Sequence, residues 1–279
     1  MRWKEGRRSS NVDDRRGGGR APMGRGIKMG GGLAIVALLV SLLLGQDPTA
    51  LLQQMTTENS QPTPAQAGGV QDEAADFTTV VLGYTEDVWT ALFSAAGSRY
   101  QQPGLVLYDG AVESACGYNT AATGPFYCPG DFKMYLDLSF LRELQRLGAP
   151  GDFAFAYVIA HEIGHHVQNI TGIERQVRQL QSRADRAEAN ALSVAMELQA
   201  DCYAGIWAYH AQRQWNILEE GDIEEGLAAA SAVGDDRLQR MAGQRVQPES
   251  FTHGSSAQRM EWFQKGFRSG NTDACDSFN

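Results

Sequence analysis

Along the chain, apolar positions change period from one segment to the next, and each change predicts an element. Between Asp76 and Tyr100, the residues Val80, Val81, Val88, Trp89, Leu92 and Phe93 recur mainly at helical spacing and predict a helix. Residues 104–112 and 132–138 are short apolar runs bounded by Gly and Pro, and they predict strands. The loop CGYNTAATGPFYCPGD lies between them. A helix is expected to begin within 139–147, and a long one over 153–170 behind Pro150, Gly151 and Asp152, with Asp152 as its N-cap and Thr171-Gly172 as its end. A charged, Gln-rich helical stretch follows from 173 to about 188, then helices over about 189–212 and 222–243 and another from near Ser255. Few strands and a mainly helical body predict an α+β fold.

The 17 residues MGGGLAIVALLVSLLLG (29–45) carry no charge and predict one N-terminal transmembrane helix, at the lower end of what spans a bilayer core. Residues 1–45 hold nine basic residues against three acidic ones, a net +6, which leaves −15 for the rest of a chain whose total is −9. Basic residues before the apolar run and none directly after it predict a cytoplasmic N-terminus and an extracytoplasmic body at the cytoplasmic membrane. A cleaved signal peptide is the alternative, against which stand the length of the leader and the lack of Ala-x-Ala after the run. The expected organisation is a disordered basic leader over 1–28, the span over 29–45, a polar linker over 46–75 and a folded domain over 76–279.

An acidic body excludes a nucleic-acid reader, because phosphate affinity is carried by Lys and Arg. Cys116, Cys128, Cys202 and Cys275 belong to the exported part, where disulfides form, and three pairings are open. The favoured arrangement joins Cys116 to Cys128 around a short loop and leaves Cys202 with Cys275 to tie down the tail. No C-x-x-C spacing points to a cysteine zinc site.

Candidate chemistry concentrates in YVIAHEIGHHVQ (157–168). Four residues apart on a helix, His161 and His165 share a face and can direct both imidazoles at one ion, while Glu162 can reach a water there. A catalytic zinc ordinarily takes three protein ligands. The third is expected from MELQADCYAG (196–205), where Glu197 can ligate and Asp201, one turn on, can hold the far nitrogen of a ligand imidazole. His253, Tyr203 and Tyr209 are candidate donors to an oxyanion, and Arg259 is a further candidate with a surface or ion-pair role as the alternative. His166 points about 100° away from His165 around the helix and reads as a packing residue or one that supports the site from behind its ligands. His210 and the run 175–188 read as helix surface.

Blocks from MRWKEGRRSSNVDDRR through CGYNTAATGPFYCPGDFKMYLDLSF, AYVIAHEIGHHVQ and ELQADCYAGIWA to SFTHGSSAQRMEWFQKGF resemble the YpfJ-like neutral zinc metallopeptidases of bacterial membranes. The resemblance runs over nearly the whole chain. It implies a membrane anchor and a zincin-like peptidase domain, with Zn2+ as cofactor, His161, His165 and Glu197 as ligands and Glu162 as general base. The site also looks like that of the gluzincins, in which an edge strand binds extended substrate by backbone pairing; residues 126–138 are the matching candidate, with a structural hairpin as the alternative. The expected function is hydrolysis of a peptide or protein substrate. The rivals are a catalytically inactive zinc-stabilised scaffold and a cell-wall peptide amidase.

Overall fold

A computed structural model describes residues 1–17 and 72–278. In chain order the elements are β1 (Val12–Asp14), α1 (Glu73–Ala95), β2 (Gly104–Tyr108), β3 (Ala111–Ser114), β4 (Gly117–Thr120), β5 (Phe126–Cys128) and β6 (Lys133–Asp137). They are followed by α2 (Phe140–Arg146), α3 (Asp152–Ile170), α4 (Ile173–Gln181), α5 (Arg186–Trp215), α6 (Asp222–Ala232), α7 (Asp235–Met241) and α8 (Ser256–Ser269). The described chain is mainly helical with two small sheets, as the α+β expectation has it. Four strands lie in the order β1-β2-β6-β5, parallel except for the β5–β6 pair, and β3 and β4 form a separate hairpin.

Helix α3 is the centre of the fold. It packs on α1, α5 and α6 and against the β5–β6 side of the sheet. Phe153, Phe155, Ile159 and Ile163 are wholly buried, and each such side chain contributes about 1.5–3 kcal/mol relative to exposure. Two close approaches set the helix positions. A Cβ on Gly164 of α3 would lie 3.0 Å from the Ala200 backbone of α5. On the other side of α5, a Cβ on Gly266 of α8 would lie 1.9 Å from the Cys202 carbonyl, so the helices come this close only because residue 266 is glycine. The Cys202–Cys275 disulfide ties the tail to α5, and Cys116–Cys128 clasps the loop that leads into β5.

Several expected boundaries move. The strand over 104–112 is broken at Gly110, whose φ of 72° turns the chain into the β3–β4 hairpin. The helix expected to reach 188 ends at Gln181, because Asp185 and Glu188 form a capping box that starts α5. Gly234, packed on Ser256, divides residues 222–243 into α6 and α7. Gly151, and not Asp152, caps α3; the Phe153 N–H donates to Glu225 (3.1 Å), and the Asp152 carboxylate faces the Met1 ammonium (2.7 Å). The body begins with Asp72 as N-cap of α1, earlier than residue 76.

The larger correction concerns the leader. Residues 1–17 are ordered: Met1 and Trp3 are buried in the main core, and β1 extends the sheet beside β2. The basic side chains expected to mark a cytoplasmic leader are paired with acids of the body. Arg7 reaches Glu86 and Asp87 (both 2.7 Å), Arg8 reaches Asp76 (2.6 Å), and Arg16 pairs with Asp72. Ser9 and Asn11 also donate to the buried Glu86, each at 2.6 Å. Composition predicts disorder because it counts only two large apolar anchors; the anchors are placed, and the charges are neutralised by residues distant in sequence. Residues 1–16 and the described body form one compact unit, where composition predicts a separate, disordered leader. The apolar run 29–45 lies outside the described residues, and among those residues no helix is long and apolar enough to cross a membrane.

Candidate functional site

The close crossing at Gly164 and Ala200 brings one face of α3 against one face of α5. His161, His165 and Glu197 converge there, with ligand-type atoms all within 4.8 Å of one another. Both imidazoles turn Nε2 toward the Glu197 carboxylate, at 3.2 Å from His161 and 3.4 Å from His165. Their other nitrogens are held from behind. Nδ1 of His161 donates to Asp201 (2.8 Å), and Nδ1 of His165 donates to Gln168 Oε1 (2.8 Å). Gln168 is itself fixed by donating to the Met196 carbonyl (2.8 Å) and to Gln199 (3.0 Å). In their neutral forms both rings therefore carry the proton on Nδ1 and leave Nε2 bare toward the common point, as ligation requires.

Asp201 is wholly buried and accepts from four groups: His161, the Tyr157 hydroxyl, and both Nε and Nη2 of Arg259 (each 2.9 Å). Arg259 reaches it because the glycine contact seats α8 directly on α5. Burial raises the Asp201 carboxyl, but Arg259 and His161 more than reverse this and hold it below the usual carboxylate range. Glu197 follows the same logic: burial raises it, and the two imidazoles bring it well below its ordinary value. Burial pulls His161 down, yet Asp201 and Glu197 lift it to about 9; His165 is also raised, with Glu197 overcoming its burial. Glu162 is the opposite case, raised chiefly by burial, with the neighbouring imidazoles and the Tyr127 backbone N–H only partly restraining it. A carboxyl poised upward beside an ionised one divides the roles of base and ligand.

Two imidazole nitrogens and one carboxylate oxygen converging on one point, each imidazole held in a ligating tautomer, fit a zinc ion with a position left for substrate or water. Among the described residues the other acidic cluster, Asp152, Asp222 and Glu225, already faces the Met1 ammonium.

The group lies in a cleft of about 740 Å³ walled by β5, α4, α5 and the loop that carries His253. His253 is half exposed; its Nδ1 lies 3.2 Å from Asp235, and that carboxylate also accepts the backbone N–H groups of Thr252, His253 and Gly254. Asp235 is the first cause raising His253, ahead of the opposing burial. Neither Tyr203 nor Tyr209 lines the cleft: Tyr203 packs on Trp89, and Tyr209 on His210 and Gly270. Only Phe126–Cys128 of the expected 126–138 segment is the sheet edge, since β6 is enclosed between β2 and β5.

Two residues of the site's surroundings are missed by sequence reasoning. Gln168 lies three positions after His165 on the same helix, and that spacing is its signal. Asp235 lies eighteen residues before His253, with no pattern linking them. His166, expected to pack or to support the site, makes two hydrogen bonds, to Tyr127 and to the Gln101 carbonyl. Burial lowers its imidazole to about 4, so it is neutral.

Over residues 1–278 the chain matches the family model described as "Putative neutral zinc metallopeptidase". It is 49% identical over 285 aligned positions to the "Uncharacterized protein YpfJ" of Escherichia coli K12, covering 100% of this chain and 99% of that protein. It is 38% identical over 258 positions to the "Uncharacterized protein Rv2575" of Mycobacterium tuberculosis H37Rv, covering 86% of this chain and 85% of the relative. No solved structure gives a significant match.

Proposed function

The chain belongs to the neutral zinc metallopeptidase family, and from that premise we propose that it is a zinc-dependent peptidase acting on extended peptide or protein segments. The observation that carries the proposal is the convergence of His161, His165 and Glu197 on one point of the cleft floor, with Glu162 beside it. These three side chains would hold Zn2+, which when bound supplies a Lewis acid for the scissile carbonyl and lowers the pKa of water. Glu162 takes a proton from the attacking water and delivers it to the leaving amine; its raised pKa suits both transfers. Asp201, held by Arg259, and Gln168 keep the two imidazoles oriented. His253, which lines the cleft and whose pKa Asp235 raises, donates to the oxygen of the tetrahedral intermediate. Substrate adds along β5, the free edge that lines the cleft. The apolar run 29–45 supports contact with a membrane, with residues 1–16 and the peptidase body on the same side of it.

The test is hydrolysis of unfolded protein and peptide substrates by the zinc-loaded chain, with Glu162→Gln as control. Cleavage by the wild type and loss of turnover at unchanged zinc content in the variant is the expected result. Cleavage of peptidoglycan peptides alone would favour an amidase, and wild-type zinc without turnover on any substrate would favour a scaffold.

A further inference from the structure

The metal-facing side chains occupy one face of α3, while His166 and Asn169 project from an adjacent face, three residues apart, and meet β5 there. We propose that Tyr127, His166 and Asn169 form a latch that fixes the edge strand β5 relative to the metal centre, and so sets where an extended substrate lies with respect to Glu162. The three are positioning residues. This inference rests on the peptidase reading.

His166 Nε2 lies 2.6 Å from the Gln101 carbonyl oxygen, which can only accept, so Nε2 carries the proton. Nδ1, on the other side of the ring, pairs with the Tyr127 hydroxyl, 2.9 Å away. A lone pair on the same phenol oxygen takes the Asn169 Nδ2–H, also at 2.9 Å, and Asn169 donates again to the Pro129 carbonyl at 3.3 Å. His166 is wholly buried, with Tyr100 and Tyr127 packed edge-on against it.

What the latch holds is a weak element. β5 pairs with β6 through only Phe126, Tyr127 and Cys128, and a three-residue edge strand has little stability of its own. The Cys116–Cys128 disulfide secures one end, and Phe126 stacked on Tyr135 at 4.9 Å secures the other. Tyr127 is the middle residue, and its backbone N–H faces the Glu162 carboxylate while its phenol reaches α3. The β5 residue whose N–H faces the general base is thus anchored to the helix that carries that base. A displacement of about 1 Å in such a frame is enough to cost roughly a hundredfold in rate.

Tyr127→Phe removes one oxygen and leaves the ring in place. On the zinc-loaded full chain, kcat/KM for extended peptides is expected to fall about tenfold, as the loss of the two hydrogen bonds of one buried hydroxyl would give. Short substrates with the same scissile pair should lose less than extended ones, and the zinc content should be unchanged. Asn169→Ala should give a smaller loss with the same dependence on length. Amide hydrogen exchange over residues 126–128 should be faster in Tyr127→Phe, with the amides of α3 unaffected. A loss equal for short and long substrates, or no loss, overturns the latch. Unchanged exchange at 126–128 overturns it whether or not the chain hydrolyses peptides. A wild type that hydrolyses no peptide, but whose Tyr127→Phe variant still shows the faster exchange, overturns the peptidase reading and the substrate role of the latch with it.

Discussion

Replacing Arg259 with Met preserves the length of the side chain and removes its charge. Asp201, wholly buried, would then keep the His161 and Tyr157 donors but lose the two 2.9 Å bonds from the guanidinium, its permanent counter-charge. Removing one partner of a buried ion pair costs about 3–5 kcal/mol when the remaining charge is left uncompensated; here the His161 imidazolium, present in the metal-free chain at pH 7, still faces Asp201, so the loss lies at the lower end of that range, about 3 kcal/mol. At about 2–4 °C per kcal/mol for a domain of this size, the midpoint of unfolding should fall by roughly 6–12 °C. The second substitution isolates the cause: Asp201→Asn with Arg259→Met removes the orphaned charge, so the double variant should be more stable than the sum of the single losses predicts. Urea and thermal unfolding at pH 7 in the presence of a chelator, which takes metal binding out of the comparison, measure all four chains. A loss below about 1 kcal/mol for Arg259→Met, or strict additivity in the double variant, would refute the reasoning.

Three further outcomes are expected. A protonated imidazole cannot ligate, so zinc affinity should weaken as pH falls below about 9, where His161 gains its proton; a competition titration from pH 6 to 9 that showed no slope would contradict the ligand assignment. His253 has a raised pKa in the fold, so whatever its charged form contributes is present at low pH and lost as pH rises through that value. Asp235→Asn removes the first cause of the raise and should move the alkaline limb of the kcat/KM profile to lower pH, and an unmoved limb would separate this pair from catalysis. Lys4 is exposed and every native cysteine is in a disulfide, so Lys4→Cys offers a single free thiol on the leader. In cells it should react with an impermeant maleimide under the same conditions as Tyr118→Cys on the body, and labelling from opposite sides of the membrane would contradict the packing of residues 1–17.

The motif-bearing helix and its partner are legible in the sequence because their residues follow a local rule, four positions apart on one face, and that spacing alone pairs His161 with His165 and Glu197 with Asp201. Loop length alone favours the observed cysteine pairing. The leader is not legible, because its order depends on acids at Asp72, Asp76, Glu86 and Asp87, which no local window shows beside Arg7, Arg8 and Arg16. Likewise, Gly234 ends a helix by packing on Ser256, a tertiary contact with no signature in helical periodicity. Asp235 escapes for the same reason: its partner His253 lies on another element.

The most direct test of the central claim is elemental analysis of the purified full chain beside its Glu197→Gln and Glu162→Gln variants. The account predicts about one zinc per chain in the wild type and in Glu162→Gln, and a pronounced loss in Glu197→Gln, because only Glu197 shares the point on which both imidazoles converge. Zinc retained equally in Glu197→Gln, or none bound by the wild type when zinc is supplied, would contradict it.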